Sequence, residues 1–220
     1  MNEDTPASLR TPAVSGHRQA LWESLSLSLG ALVVLAAGVI GLWATSTMTI
    51  RENYRHYLVG LAESAAAVVD PRLHATITRP EQRNDADYVR AVAPLRRIRA
   101  AVPDIHYAFT VIRDDNRIRF VLDSGDPAGV NGTEVDDQAG VLDVYDGDHP
   151  ALWEALGSGD TPGHPAANAE PVKDKWGMFM TGAAPLLDAG GHQIGAVGID
   201  WTRAPTSPGW RQRATGRCWA

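Results

Sequence analysis

The sequence predicts an α+β protein in which a long apolar helix precedes a domain with an antiparallel sheet. Three observations predict this fold class. An uncharged run covers residues 24–50, and apolar residues then recur with helical spacing up to residue 102. Four later segments are typical of strands, the first two because they alternate in polarity and the last two because a hairpin turn joins them. The predicted order is helix, helix, two strands, a long insertion and two strands. We therefore expect an antiparallel sheet with helices on one face.

The uncharged run lies between Glu23 and Arg51. As a helix it would reach roughly 40 Å, whereas the hydrocarbon core of a bilayer is about 30 Å thick. We expect a transmembrane helix over residues 21–50. A cleaved signal peptide is the alternative, but its apolar stretch is usually shorter, about 7–15 residues. Arginines are balanced on the two sides of the run, so their number alone does not predict orientation.

The helix is expected to continue beyond the span as far as Val69, where Asp70-Pro71 would end it. Its apolar face is formed by five residues: Tyr54, Leu58, Leu61, Ala65 and Val68. This face is compatible with a dimer interface, with packing against the sheet, or with both at different heights. A second helix is predicted over residues 85–102, with Asp85 or Asp87 as its N-cap.

The remaining regular structure is predicted to be strands. Residues 105–114 and 117–124 alternate in polarity around the turn residues 114–116, which indicates a hairpin. One face of the first strand should carry Ile105, Tyr107, Phe109 and Val111. One face of the second strand should carry Ile118, Phe120 and Leu122. A polar insertion, roughly residues 124–175, contains a short helical segment at 150–156. The strands 177–188 and 192–200 follow, joined by Ala189-Gly190-Gly191.

Composition excludes several classes of function and of site. The chain has 220 residues and a formal net charge of −6, which gives no support to nucleic-acid binding. Cys218 is the only cysteine, so neither an intrachain disulfide nor a cysteine-based zinc site can form. The acidic insertion does not match the spacing of an EF-hand loop, and the histidines lack ligand spacing. We predict no metal site, no cofactor and, in the absence of a recognisable catalytic motif, no enzyme.

Several segments together resemble a known family. They are the membrane helix that runs into a long helix, then VPDIHYAFTVIRDDNRIRFVLDS, DKWGMFMTGAAPLLD and GHQIGAVGID. This pattern resembles the extracytoplasmic Cache-type (PAS-like) sensor domain of bacterial histidine kinases, diguanylate cyclases and chemoreceptors. The resemblance implies a sensor domain over residues 51–200, outside the inner (cytoplasmic) membrane, on a single-pass anchor. It also implies a homodimer formed through the membrane-proximal helix.

The two ends of the chain are expected to be irregular. Residues 1–20 are polar and predict a disordered cytoplasmic tail. Residues 201–220 are basic and contain no acidic residue, which predicts an irregular tail where the family would continue into a second membrane helix and an output module. A short native tail and a truncated gene are both compatible with this change. Any kinase or cyclase activity would reside in an output domain absent from this chain.

The resemblance also implies a pocket for a small-molecule ligand on one sheet face, beneath the insertion. The candidate lining residues are Tyr107, Phe109, Arg119, Asp123, Tyr145, Trp176 and Met180. Arg119 is suited to hold a carboxylate and Asp123 to receive an amine. The alternative for these residues is that the aromatic side chains are core and that Arg119 pairs with an acid. The predicted function is ligand sensing for signal transduction; the alternative is a membrane-anchored interaction or structural domain.

Overall fold

The structure, a computed structural model, describes residues 15–128, 136–147, 149–158 and 161–202. The α+β class is confirmed. The described residues form helices α1 (Ser15–Val68), α2 (Pro71–Thr76), α3 (Ala86–Ala101) and α4 (Pro150–Leu156). The strands are β1 (Ile105–Asp114), β2 (Arg117–Asp123), β3 (Ala166–Ala167), β4 (Val172–Lys173), β5 (Met178–Leu187) and β6 (Gln193–Trp201).

Contacts along the chain divide it into two units, with the boundary between Thr49 and Ile50 inside α1. The described side chains of the first unit are largely apolar and exposed, among them Leu27, Val34 and Leu42. Among the described residues, one helical stretch, Trp22–Val68, is long and apolar enough to cross a membrane, and its most apolar part has a mean hydropathy of 2.4. A signal sequence satisfies the same criterion. Residues 1–14 and 203–220, which hold most of both predicted tails, lie outside the described residues.

In the second unit, the end of α1 packs on the sheet. Leu58, Ala62 and Ala65 are buried in the same apolar core as strand residues of the sheet. A Cβ atom at Gly182 of β5 would lie 2.5 Å from the carbonyl oxygen of Leu58, so the helix approaches the strand as closely as glycine allows. The core interpretation of the apolar face therefore holds at Leu58 and Ala65. Val68, at the end of α1, is 50 % exposed.

Two aspartates define where the helices begin. α1 ends at Val68, one residue before the predicted end, and Asp70 caps the short helix α2 by accepting hydrogen bonds from the backbone of Arg72 and Leu73. Asp85 caps α3 by accepting a 2.8 Å hydrogen bond from the backbone N–H of Tyr88. Of the two candidate caps for the second helix, the structure selects Asp85, because only this carboxylate precedes the first helical turn.

The sheet has the strand order β2-β1-β6-β5-β3, and the short strand β4 also pairs with β5. Every pairing is antiparallel. Both predicted hairpins are present, β1–β2 and β5–β6. The last two strands run side by side so that Thr181 lies opposite Asp200. This pairing places the end of β6 in the middle of the domain, between β1 and β5.

Both faces of the sheet are covered, not one. α1 and α3 pack on one face, which we call the helix face, and α4 with part of the insertion packs on the other, which we call the insertion face. The alternation predicted for the first hairpin fails at two shifts in register, one after Ile105 and one beside Val121. A bulge moves the following side chains to the opposite face. Ile105 and Leu122 therefore belong to the helix-face core, whereas Tyr107 and Phe120 belong to the insertion-face core.

Candidate functional site

A small cavity lies on the insertion face, between the strands and the insertion. It is lined by Tyr107, Phe109, Phe120, Asp123, Asp137, Tyr145, Trp176 and Asp200. The volume open to the centre of a water-sized sphere is about 10 Å³, which is roughly what one water molecule requires. Five of the seven predicted site residues meet here; Arg119 and Met180 do not.

Aromatic rings form most of the cavity wall and touch one another. Phe120 and Tyr145 have ring centroids 4.5 Å apart, and Tyr145 lies 5.8 Å from Trp176. Tyr107 completes the wall, with its ring centroid 6.5 Å from that of Trp176. Tyr107 and Phe120 come from the sheet, whereas Tyr145 and Trp176 come from the insertion. The rings therefore form the contact between the insertion and the sheet.

A glycine on β6 leaves room for this aromatic layer. A Cβ atom at Gly198 would lie 2.4 Å from the ring of Phe109 and 3.2 Å from Leu152 of α4. Contact distances below about 3 Å are not tolerated between carbon atoms, so the ring can lie across β6 only where the side chain is absent. Gly198 faces the insertion side, two residues before Asp200.

Asp200 is the most deeply buried acid of the cavity. Its carboxylate accepts a 2.7 Å hydrogen bond from the hydroxyl of Thr181 on the neighbouring strand, and the hydroxyl of Tyr145 lies 3.4 Å from its other oxygen. Burial raises the pKa of Asp200 to about 8, although the hydrogen bond from Thr181 acts in the opposite direction. At neutral pH this carboxyl group is therefore largely protonated in the closed cavity.

The hydroxyl of Tyr145 bridges two acids. It lies 3.2 Å from a carboxylate oxygen of Asp174 in the insertion and 3.4 Å from Asp200 in the sheet. A phenol has one proton to donate, so it satisfies one acceptor at a time. A protonated Asp200 would supply the second proton of this chain of three groups. Asp174 in turn accepts hydrogen bonds from the backbone of Trp176 and Gly177, which positions the indole ring.

Asp123 lies at the end of β2, where the insertion begins. It accepts hydrogen bonds from the backbone N–H groups of Gly125, at 2.9 Å, and Ala139, at 2.7 Å. Burial raises the pKa of this carboxyl group to about 6, and the two backbone hydrogen bonds partly offset the effect. Asp123 therefore holds two parts of the insertion together as well as lining the cavity.

Two cationic side chains lie near the aromatic wall, although neither lines the cavity. The guanidinium carbon of Arg99 is 5.9 Å from the ring centroid of Tyr107, but this group donates to the carbonyl of Ser124 and pairs with Asp126 at 3.2 Å. The ammonium group of Lys175 is 4.2 Å from the ring centroid of Trp176. The lining residues themselves comprise three aspartates and five aromatic residues, and none is lysine, arginine or histidine.

Arg119 lies outside the cavity, so the structure does not bring the expected carboxylate-binding residue to this site. Its Nε atom lies 2.5 Å from the carboxylate of Asp114, and its Nη1 atom donates to the carbonyl oxygen of Leu142 at 2.9 Å. These partners are across the strand and in the insertion. The alternative interpretation, that Arg119 pairs with an acid, holds, and the acid is Asp114.

Met180 also lies elsewhere, because successive residues of β5 point to opposite faces. Phe179 and Ala183 belong to the insertion-face core, so Met180 belongs to the helix-face core. Sequence reasoning missed three lining residues: Phe120, Asp137 and Asp200. A signal existed for Asp200, the one carboxylate in the otherwise apolar strand GAVGID. Asp137 had no such signal, because it lies in a segment without periodicity.

Two larger depressions lie outside the aromatic wall. One, of about 470 Å³, borders Arg113 and Gln193 near the β5–β6 turn, and the other, of about 430 Å³, borders Arg117 and Trp153. The side chain of Gln193 is already bonded to the backbone of Gly163, Ala155 and Gly195. The polar side chain of the first depression is therefore used in structural contacts. We take the aromatic cavity as the candidate site.

Comparison with known proteins gives no family for this chain. No protein-family model matches it, and no curated protein matches it significantly.

Proposed function

We propose that this chain is a membrane-anchored, extracytoplasmic domain that binds a small molecule and serves as the input half of a signalling protein. The observation that carries the proposal is the aromatic cavity with buried acids beneath the insertion. Ligand sites are concave and mostly apolar, with a few convergent polar groups. The resemblance to Cache-type sensors implies a pocket beneath the insertion, and this expectation supports the choice of the cavity as the ligand site.

The contacts of β5 suggest how binding would reach α1. Thr181 donates a hydrogen bond to Asp200, which lines the cavity, while the next residue, Gly182, touches the backbone of Leu58 on the other face. A ligand that moves the β5–β6 pair would therefore shift the surface on which the helix rests. We propose that this movement displaces α1 against its counterpart in a homodimer.

The insertion has its own connection to α1. Arg51 forms a 2.8 Å ion pair with Glu170, and Arg55 donates to the carbonyl oxygen of Ala167 at 3.3 Å. The first of these contacts is exposed and contributes little stability, about 0–1 kcal/mol. Weak contacts of this kind can be exchanged when the insertion moves. Ligands shift such an equilibrium only by binding one arrangement more tightly than the other.

The test is a thermal-unfolding screen of the full chain in maltoside micelles, followed by intrinsic tryptophan fluorescence. The panel contains dicarboxylates, amino acids, amines, sugars and nucleosides. A ligand at a hundred times its Kd should raise the free energy of unfolding by about 2.7 kcal/mol. Trp176→Ala should abolish the shift. Trp153→Ala is the matched control, because this half-buried tryptophan packs beside Arg113 instead of the cavity.

A second candidate function is a membrane-anchored interaction domain without a small-molecule ligand. The observation that favours it is the closed state of the cavity, which has room for about one water molecule. If no compound in the panel changes the melting temperature, this second function replaces the first. For either function we propose no enzymatic activity of these residues.

The anchored topology requires a separate test. An alkaline phosphatase fusion after Thr202 should be active in intact bacteria, and a fusion at the same place to a fluorescent protein that folds only in the cytoplasm should be dark. Retention of the N-terminus in the membrane fraction would distinguish an anchor from a cleaved signal sequence. The reverse pattern of the two reporters would place the domain inside the cell and remove the proposal.

A further inference from the structure

We propose that the cavity binds a small organic ammonium cation that carries no carboxylate group, and that this cation takes the place of the Tyr145 hydroxyl at Asp200. The inference rests on the proposed ligand-sensing function and names its ligand class. It departs from the expectation that an arginine would hold a carboxylate of the ligand, because Arg119 lies outside the cavity.

The charge of the lining residues is the first argument. Asp123, Asp137 and Asp200 line the cavity, and Asp174 is reached through the hydroxyl of Tyr145. The guanidinium group of Arg99, 5.9 Å from the ring centroid of Tyr107, is bonded to Ser124 and Asp126. A buried carboxylate is stabilised when a cation of suitable geometry replaces water around it. An anionic ligand would meet these carboxyl groups without a cationic lining residue to compensate them, whereas a cation would bind Asp200 in its ionised form, with release of its proton to solvent.

The aromatic wall is the second and independent argument. The face of an aromatic ring carries negative electrostatic potential and attracts ammonium groups, with indole the strongest of the side chains. Tyr107, Phe120, Tyr145 and Trp176 surround the same small volume as the acids. The ammonium group of Lys175 already lies 4.2 Å from the ring centroid of Trp176, so a cation occupies one face of this ring in the closed arrangement.

The geometry favours an organic cation over a metal ion. Calcium requires six to eight converging oxygen atoms, and among the described residues no group of three or more acidic, histidine or cysteine side chains converges in that manner. The hydroxyl of Tyr145 lies between the carboxyl groups of Asp174 and Asp200. A wall of aromatic rings together with acids suits a cation with both an apolar surface and a positive charge.

Binding requires the part of the insertion that carries Trp176 to move away from the sheet, because the closed cavity has room for about one water molecule. The backbone of Tyr145, whose N–H donates to the carbonyl oxygen of Ile118 on β2 at 2.8 Å, would stay with the strands. The side chain of Tyr145 would turn away from Asp200, from which its hydroxyl lies 3.4 Å. The ammonium group would replace that contact, and the opening would reduce the apparent affinity by the fraction of molecules that are open.

The test uses choline with two matched compounds. One is 3,3-dimethylbutan-1-ol, which has the same shape and no charge, and the other is glycine betaine, which adds a carboxylate. Butylamine and butan-1-ol form a second pair for primary amines. Binding is measured by isothermal calorimetry and tryptophan fluorescence on the full chain in maltoside micelles, in phosphate buffer, because Tris is itself an organic amine.

Choline or butylamine should bind with a Kd in the millimolar range or lower, and at least about tenfold more tightly than its neutral partner. Choline should also bind more tightly than glycine betaine. Asp200→Asn should weaken cation binding about tenfold to hundredfold, as expected for the loss of a charged partner. Asp188→Asn removes an exposed carboxylate in the turn between β5 and β6 and should have no effect. Trp176→Leu, at a half-buried position, should weaken the cation several-fold and leave the neutral compound unchanged.

Three results would overturn the inference. Binding of carboxylates or neutral compounds at the cavity without binding of either cation would remove the ligand class and leave the sensing function standing. Equal cation affinity in wild type, Asp200→Asn and Trp176→Leu would place the cation elsewhere. Failure of every compound in the wider panel would remove both the inference and the sensing function.

Discussion

Asp200→Asn should remove most of the pH dependence of stability between pH 6.5 and 8. The folded protein holds a proton on Asp200 up to a pKa of about 8, whereas an ordinary aspartate loses it near 3.8. The folded state thus binds more protons than the unfolded state between these values, and stability falls as the pH rises. The groups that face this carboxyl are Tyr145, Asp174, Thr181 and, at longer range, Asp123.

The pH window is chosen so that other buried groups contribute little. Burial lowers the pKa of His74 to about 4, so this histidine makes stability rise with pH until the unfolded pKa of 6.5. Asp123, with a pKa of about 6, opposes it in the same range. Above pH 6.5 the remaining effects are about 0.4 kcal/mol for His74 and about 0.2 kcal/mol for Asp123, and they are opposite in sign. Asp200 alone should then lower the free energy of unfolding by about 1.5 kcal/mol between pH 6.5 and 8.

The assay is urea unfolding of the full chain in maltoside micelles at several pH values, followed by tryptophan fluorescence. The asparagine variant keeps an oxygen acceptor for Thr181 and does not titrate, so its stability should be nearly independent of pH in this window. Asp188→Asn is the control. The pKa of Asp188 is lowered, chiefly by the backbone N–H of His192, so it is ionised throughout and the wild-type slope should remain. Equal slopes in wild type and Asp200→Asn would refute the reasoning.

Three further predictions concern packing and binding. Gly198→Ala would place a methyl group in the ring of Phe109 and should cost about 1–3 kcal/mol in chemical unfolding, whereas Gly60→Ala, which meets open space in a helix, should be neutral or stabilising. Leu58→Ala should cost about 2–5 kcal/mol and Val68→Ala much less, because the first is fully buried and the second half exposed; equal costs would contradict the packing of α1. Choline affinity, measured by calorimetry, should increase from pH 6.5 to pH 8, because the carboxyl group of the cavity must lose its proton to pair with a cation; an unchanged affinity would separate binding from that proton.

Much of the fold could be predicted because its signals are local. Apolar spacing located α3, and the caps and turn residues set the ends of helices and hairpins within one or two residues. The failures are nonlocal. The sequence around Ile105 and Val121 contains no signal for a bulge, because the position of the extra residue depends on the pairing with the neighbouring strand. A single bulge reverses the facing of every residue beyond it, so alternation alone predicts the wrong face for Leu122.

The candidate site was predictable only in part for a related reason. Tyr107 and Phe109 were found because alternation assigns them to one face, but β5 is apolar on both faces, so alternation alone does not distinguish Met180 from Phe179. Arg119 lies outside the cavity because it alternates along β2 with Ile118 and Phe120, whose side chains belong to the insertion-face core. Asp137 became part of the site through tertiary contacts of a segment that has no periodicity to analyse.

The arrangement around Asp200 joins the cavity to the helix face through one pair of residues. Thr181 and Gly182 are adjacent on β5 and therefore point to opposite faces of the sheet. Thr181 donates a hydrogen bond to Asp200, the acid that we expect a cation to contact, and Gly182, which has no side chain, lets β5 touch Leu58. Because neither contact leaves free space, a change in one shifts the strand against the other. A larger residue at position 182, such as Gly182→Ala, should therefore weaken the packing of α1 and alter cation affinity together, whereas Gly60→Ala should alter neither. Loss of packing in the first variant, seen as a lower melting temperature, with unchanged choline affinity would show that the two faces are uncoupled.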